Sequence, residues 1–443
     1  MELKDEEAFT NEVRLMIQQG RISVKVGETD VAVTGFPGAV AFSNVATGMG
    51  MLEALDRELP PKLRDRGYGH SAAVFDLMSI ALSGGDAIED LAQLRADRGL
   101  KRMLGREVMA PSTAHDYLRR IAYDGLPGLA RVRAGQLAAM AAHTGQTTAT
   151  VDVDASLYRS EGRNARMSYK GERGYMPILA FWDEVGAVIH DDFRNGNSSP
   201  GGDALAFLKD TMSQLPASVN KIQVRSDSAW YQAEVLDYCQ EQGYGFCIGA
   251  DWDEAVSALA AGVPEEAWRS IEDIRNPADE EPHLRQWAWQ GVHTLNKSAR
   301  AYRIILIRKE RLQGDLFDGP YRHSAIITNM ELPLEEQIAW YRRRGQCENY
   351  IKELKWDFET RVLPSGDFFV NAVYLRIMTL AYNLFLAMKM ELPPAYRPCR
   401  LKNLLFRFLA IPALVVRHAR RLHLKLPRGH PHINALRTAA GFG

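Results

Sequence analysis

The feature that most constrains the fold is a change of hydrophobic period at residue 147. Before it, apolar residues recur at helical spacing; from Thr147 they alternate, as they do along a strand. Residues 147–154 predict a first strand and 175–182 a second. A turn near Gly186 leads to a third at 187–193. After the polar loop 195–202, a helix is expected over 203–215, a strand over 221–225, a helix over 231–242 and a strand over 245–249. Three strands in succession pair as antiparallel neighbours. A helix between two strands forces a crossover to a parallel partner. Few topologies satisfy both conditions.

This β-β-β-α-β-α-β order is that of the ribonuclease-H-like fold, a mixed sheet in the α/β class. Residues 250–330 interrupt it. Trp252, Trp268, Trp287 and Trp289 fall there, residues 286–290 alternate, and 302–308 and 323–328 predict strands, so a β-rich insertion is expected, with 276–282 as loop. Helical pattern resumes at Pro333-Leu334-Glu335-Glu336, with proline and acids suited to a first turn. The expected division is a mainly helical N-terminal region (1–144), the first part of the core (145–250), the insertion (251–331), the last part of the core (332–390) and a helical, basic C-terminal region (391–443).

Composition narrows the class of partner. The content is 46% hydrophobic and 25% charged, ordinary for a globular protein long enough to hold several domains. The four cysteines, Cys239, Cys247, Cys347 and Cys399, form no CxxC pair, which argues against a zinc site or disulfide framework and for a reducing, cytoplasmic setting. The acidic first seven residues do not resemble a signal peptide. Phe368–Met390, the most apolar run, carries Asn371, Arg376 and Asn383 and predicts a buried helix, with no membrane partner.

The net charge of −1 conceals an asymmetry: from Arg397 to the end there is no Asp or Glu, among ten Lys and Arg residues. A basic end on a near-neutral chain points to a polyanion. Residues 109–120 add a second signal. Ser112 is a candidate cap for a helix ending in Arg119 and Arg120, preceded by a short helix and a turn, a helix-turn-helix-like pattern that is common also in proteins that never touch DNA.

The chemistry concentrates on carboxylates. Asp152 and Asp154 share one face at the end of the first predicted strand, and Asp227 follows the fourth. Strand C-terminal ends are where α/β sheets build sites. Read as one helix, residues 340–355 place Tyr341, Arg344, Glu348 and Lys355 on one arc roughly 60° wide, Lys352 beside it, and Trp340, Cys347, Ile351 and Leu354 on an adjacent apolar stripe. Close carboxylates repel unless a cation neutralises them, and oxygen donors suit Mg²⁺ or Mn²⁺. Two such ions can clamp the attacking and leaving oxygens of a phosphoryl displacement. Taken singly, a strand-end Asp is more often a cap, and a helix rich in charge more often a solvated surface.

With these residues in place the sequence resembles the DDE transposases of bacterial insertion sequences. The match is Tyr341-x2-Arg344-x3-Glu348-x6-Lys355, together with Asp152-Val153-Asp154-Ala155-Ser156 and Arg225-Ser226-Asp227-Ser228 before Trp230-Tyr231; Tyr175-Met176-Pro177 and Arg194-Asn195-Gly196-Asn197 resemble flanking blocks. The resemblance implies Asp154, Asp227 and Glu348 as ligands of two metal ions, with Asp152 the alternative first acid or a group behind it. It implies cleavage at terminal inverted repeats, attack of a 3′-OH on target DNA, and a homodimer when two ends are synapsed. Arg344 and Lys355 would contact phosphates, with Tyr341 and Lys352 beside them. Trp287 or Trp289 could stack on a flipped base, although core packing is the more common fate of such residues.

Overall fold

The computed structural model describes residues 15–17, 22–24, 27–62, 67–271, 284–315 and 319–441; the acidic first residues and the 276–282 loop lie outside them. Among the described residues, nine strands form one mixed sheet. They are β1 (Thr148–Ala155), β2 (Ile178–Trp182), β3 (Ala187–Asp192), β4 (Lys221–Ser226), β5 (Gly245–Ala250), β6 (Arg269–Ile271), β7 (Gln286–Thr294), β8 (Ala301–Asp315) and β9 (Gly319–Thr328). Their spatial order is β6-β7-β8-β9-β5-β4-β1-β2-β3. The meander β1-β2-β3 is antiparallel. The helices Ala204–Gln214 and Ala233–Glu241 carry the chain over to β4 and β5, which run parallel to β1. Ala149, Val151, Val153 and Val224 on these strands are fully buried.

The β-rich stretch is continuous with this sheet. β9 pairs antiparallel with β5, from Cys247 opposite Thr328 to Ala250 opposite Ala325. Without β9, β5 would present an open row of backbone donors and acceptors, a costly edge beside a core. Its other strands, β8, β7 and β6, extend the same ladder outward.

Six helices matter below: α1 (Arg98–Leu104), α2 (Pro111–Ile121), α3 (Gly125–Thr144), α4 (Leu334–Arg342), α5 (Gly345–Asp357) and α6 (Phe368–Met390). α6 is the central core helix, buried at every position from Val370 to Met388. It packs against β3, α2, α3 and the helices Ala39–Gly48 and His70–Ser83. Its length and apolarity would suffice to cross a membrane, yet 94% of its apolar window is buried inside the protein. Its polar residues have assigned partners. Asn383 donates to the Val188 carbonyl and accepts from the Val188 amide, both at 2.9 Å, and so substitutes for a missing neighbour along edge strand β3. Arg376 and Arg133, from α6 and α3, both bind the buried Asp191 of β3. Burial works against that carboxylate, but the two guanidiniums win and hold it well below its ordinary pKa.

The C-terminal region is mixed, not helical throughout. The short helix Leu401–Leu404 leads to a hairpin of β10 (Ala413–His418) and β11 (Arg421–Lys425), then the helix Ile433–Ala439. The root of β10 pairs with strand Val33–Thr34. The alternation Ala413-Leu414-Val415 supports a strand, with Ala413 and Val415 buried and Leu414 exposed.

Candidate active site

Asp154 and Asp227 are brought together by strand register. β1 and β4 run parallel, and their last paired residues are Val153 and Ser226, so the two acids follow one step later on adjacent strands. Asp227 then accepts from the Ala229 amide at 3.1 Å, which turns the chain into a short helical segment. Asp154 accepts from the Ala155 amide at 2.9 Å. Its carboxyl is pushed up to about 6, first by burial and then by the negative charge of Asp227 and Glu348, against the pull of Arg344. No side-chain cation of the described residues forms an ion pair with Asp154, Asp227 or Glu348.

Asp152 has a different environment. It is fully buried, and both its oxygens receive hydrogen bonds from Arg225 at 2.7 Å. Arg225 also binds Asp183 at 2.7 Å and the Trp340 carbonyl at 2.9 Å, and lies 4.8 Å from the centre of the Trp340 ring. Burial opposes the guanidinium charge, but the hydrogen bonds and fields of Asp152 and Asp183 raise its pKa. Tyr350 of α5 donates to Asp183 at 3.2 Å. Through this network one arginine joins β4, β1, the β2–β3 turn and the end of α4.

The stretch 340–355 is two helices, not one. α4 ends at Arg342 and α5 begins at Gly345. Tight bonds from the Arg344 amide to Tyr341 and from the Cys347 amide to Arg344, both 2.9 Å, make the bend. The single-helix wheel therefore fails across residue 343. Within α5 it holds: Cys347, Ile351 and Leu354 are buried and Glu348 is exposed in the first turn. Trp340 instead joins a separate apolar cluster with Ile338. Lys352 lines a cleft of 940 Å³ with Tyr350, Glu353 and Lys389, to which none of the three acids contributes.

Arg344 sits at the bend, half-buried. Burial opposes its charge, yet Tyr341, Asp154 and Asp227 together raise its pKa. Lys355 donates to the Ser156 hydroxyl and the Leu157 carbonyl, both at 2.7 Å, and lies 4.5 Å from the centre of the Tyr158 ring. It is pushed down to about 8, mainly by burial. Its observed partners belong to the segment leaving β1, just after Asp154.

Tyr341 is pushed up to about 12 by burial. Its hydroxyl occupies the space that a side chain at Gly249 would need: a Cβ there would stand 2.7 Å from the Tyr341 oxygen and 3.1 Å from the Ser228 amide. Glycine in β5 thus admits the tyrosine beside the Asp227 turn. Gly249→Ala is expected to lower stability by about 1–3 kcal/mol. Adding Tyr341→Phe, which removes the clashing oxygen, should restore part of the lost Tm; a double variant no more stable than Gly249→Ala would contradict this contact.

The remaining predicted residues lie on other elements. α2 starts at Pro111 with Ala110 as its cap residue, so Ser112 is in the first turn and caps nothing. Arg119 and Arg120 are exposed there; Arg119 pairs with Asp116 at 2.9 Å, and Arg120 lies 5.2 Å from the Tyr117 ring centre. The turn between α1 and α2 is pinned by buried Asp76, which accepts from Arg106 and from the Met109 amide. Trp287 and Trp289 share one face of β7 and pack against Val256, Trp268, Ile304 and Leu306. Arg308 lies 5.1 Å from the Trp287 ring centre. Gly249 and Asp183 escaped sequence reasoning: neither lies in a motif, and their roles come from neighbours distant in the chain.

The described residues contain no group of three or more His, Cys, Asp or Glu side chains close enough to share an ion. Donor chemistry nevertheless suits a hard divalent cation, since Asp154 and Asp227 are neighbouring oxygen donors whose mutual repulsion no bonded protein cation relieves.

The family model for the transposase DDE domain, group 1, matches residues 16–441. No curated protein matches the chain. Among solved structures, the piggyBac transposase in a synaptic complex with hairpin DNA is similar, with 9% identity and a TM-score of 0.45 over 84% of this chain and 80% of that one.

Proposed function

Because this chain belongs to the DDE transposase family, we propose that it cuts DNA at the ends of its element and joins them to target DNA, using Asp154, Asp227 and Glu348. The observation that carries this reading is the juxtaposition of Asp154 and Asp227 at the ends of parallel neighbours β1 and β4. The strand order β3-β2-β1-β4-β5 supports a ribonuclease-H-like core.

Asp154 and Asp227 would hold Mg²⁺, or Mn²⁺ in its place, with Glu348 completing the set of donors. When bound, a pair of such ions supplies positive charge to the attacking and leaving oxygens of phosphoryl transfer. The chain's own groups do the rest. Arg344, beside both aspartates, offers a guanidinium to a backbone phosphate. Lys355 holds the strand exit through Ser156 and Leu157, and so orients Asp154. Asp152, each of whose oxygens accepts from Arg225, acts by positioning β1 against β4. Arg119 and Arg120 on α2 are candidate duplex contacts. Synapsis of two ends calls for two copies of the chain.

A supercoiled plasmid carrying the element's ends tests this. Mg²⁺-dependent cleavage at those ends, followed by strand-transfer products from pre-cleaved ends, is the expected result. Binding without cleavage would overturn the enzymatic reading in favour of a regulator. Cleavage without joined products would leave a nuclease.

A further inference from the structure

We infer that the β10–β11 hairpin is a duplex-DNA contact of its own, a cationic ribbon that seats in a groove; this rests on the proposed action on DNA. The root of the ribbon is fixed. The Val415 amide donates to the Ala32 carbonyl at 2.8 Å, and Arg102 of α1 donates to the Val415 carbonyl at 2.9 Å. The hairpin is thus mounted on the first helix of the helix-turn-helix-like unit.

Beyond the root the environment changes. Arg417, Arg420, Arg421, Lys425 and Arg428 are exposed and have no hydrogen bond or ion pair with an acidic side chain of the described residues. Earlier cations of the same acid-free segment do have partners: Arg400 binds Asp357 at 2.7 Å and Lys402 binds Glu359 at 3.4 Å. Arg397, Arg407 and Arg437 bond neutral groups of their own segment, so the longest run of exposed cations without an acidic partner is the hairpin and the turn after it.

The register explains how that charge is displayed. Leu414 opposes Lys425, Val416 opposes His423, and His418 opposes Arg421. These pairs alternate with the set that contains buried Val415, so Lys425, His423, His418 and Arg421 share the outward face. At the tip, Ala419 (φ 48°) and Arg420 (φ 64°) both occupy the left-handed region. A two-residue hairpin turn of this kind is ordinarily built from Asn and Gly. Here Ala and Arg occupy it, and the strained turn places a third cation at the tip of the ribbon. A two-stranded antiparallel ribbon matches the width of the B-DNA major groove, and its cations would meet the phosphates on either side.

The test uses the full chain with Arg420, Arg421 and Lys425 all changed to Gln, and a mixed-sequence duplex several helical turns long. The salt dependence of binding, log K against log[salt], should flatten by about 3 relative to the unaltered chain, with more than about tenfold weaker binding at low salt. The corresponding variant with Arg420 and Arg421 changed to Lys should keep the slope. An unchanged slope in the glutamine variant, in a chain that still binds duplex, would overturn the inference and leave the proposed function standing. An equal loss on a single-stranded oligonucleotide would also overturn it, because a groove-seated ribbon discriminates between the two. Failure of the unaltered chain to bind any duplex would overturn both.

Discussion

Replacing Glu348 with Gln is expected to reduce Mg²⁺-dependent end cleavage at least about a thousand-fold, roughly 4 kcal/mol of transition-state stabilisation, with duplex affinity nearly unchanged. The substitution keeps the size of the side chain and its exposed place in the first turn of α5. It removes one negative charge from a set of acids whose fields already reach one another: Glu348 is among the groups that push the Asp154 carboxyl up. Asp154→Asn should behave alike, because its strand-end position serves the same set. Asp152→Asn should not. Both oxygens of that carboxylate are held by Arg225, so its loss should appear first as a lower Tm. Cleavage at normal rate by Glu348→Gln would remove Glu348 from the active site. Loss of cleavage at undiminished stability in Asp152→Asn would shift the first acid to Asp152.

Arg225→Ala is expected to cost about 3–5 kcal/mol of stability, read as a fall of several degrees in Tm. The reason is burial: the change strands the carboxylate of Asp152, which is fully buried, and removes the counter-ion of Asp183 and the donor to Trp340. Arg225→Lys should recover little, since an ammonium cannot span two carboxylates and a carbonyl in the same plane. Adding Asp152→Asn to Arg225→Ala should recover part of the loss, because the stranded charge is then gone. A Tm within a degree of the unaltered chain would mean that the network carries little stability.

Period and residue type made much of this molecule legible. The shift to alternation at residue 147 marked β1, and the meander followed by helix-strand alternation led to three antiparallel and then parallel strands. These are local properties: successive side chains of a strand point to opposite faces, whatever its neighbours. The buried helix at Phe368–Met390 was visible because an apolar run carrying Arg376 and two asparagines needs internal partners. Asp154 and Asp227 were visible as acids at strand ends.

Other features depended on residues far apart in the chain. Nothing around residues 340–355 announced the bend between Arg342 and Gly345, since both halves suit a helix; packing of α4 on one apolar cluster and α5 on another decides it. The β-rich stretch merged into the main sheet because β5 required a partner, which alternation alone does not reveal. The C-terminal residues formed a hairpin because strand Val33–Thr34, some 380 residues away, offers β10 an edge.

By itself, the sequence determined the strands and helices of the stretch 147–249, the buried helix Phe368–Met390 and the acids at the strand ends, because those follow from local periodicity and charge. Only the tertiary structure decided what each charge meets. It separated Asp152, hydrogen-bonded through both oxygens to Arg225, from Asp154, left beside Asp227. It turned Lys355 toward Ser156 and left the hairpin cations without acidic partners among the described residues. The effect of a charge depends on its burial and on the opposite charge within reach, and the folded chain sets both.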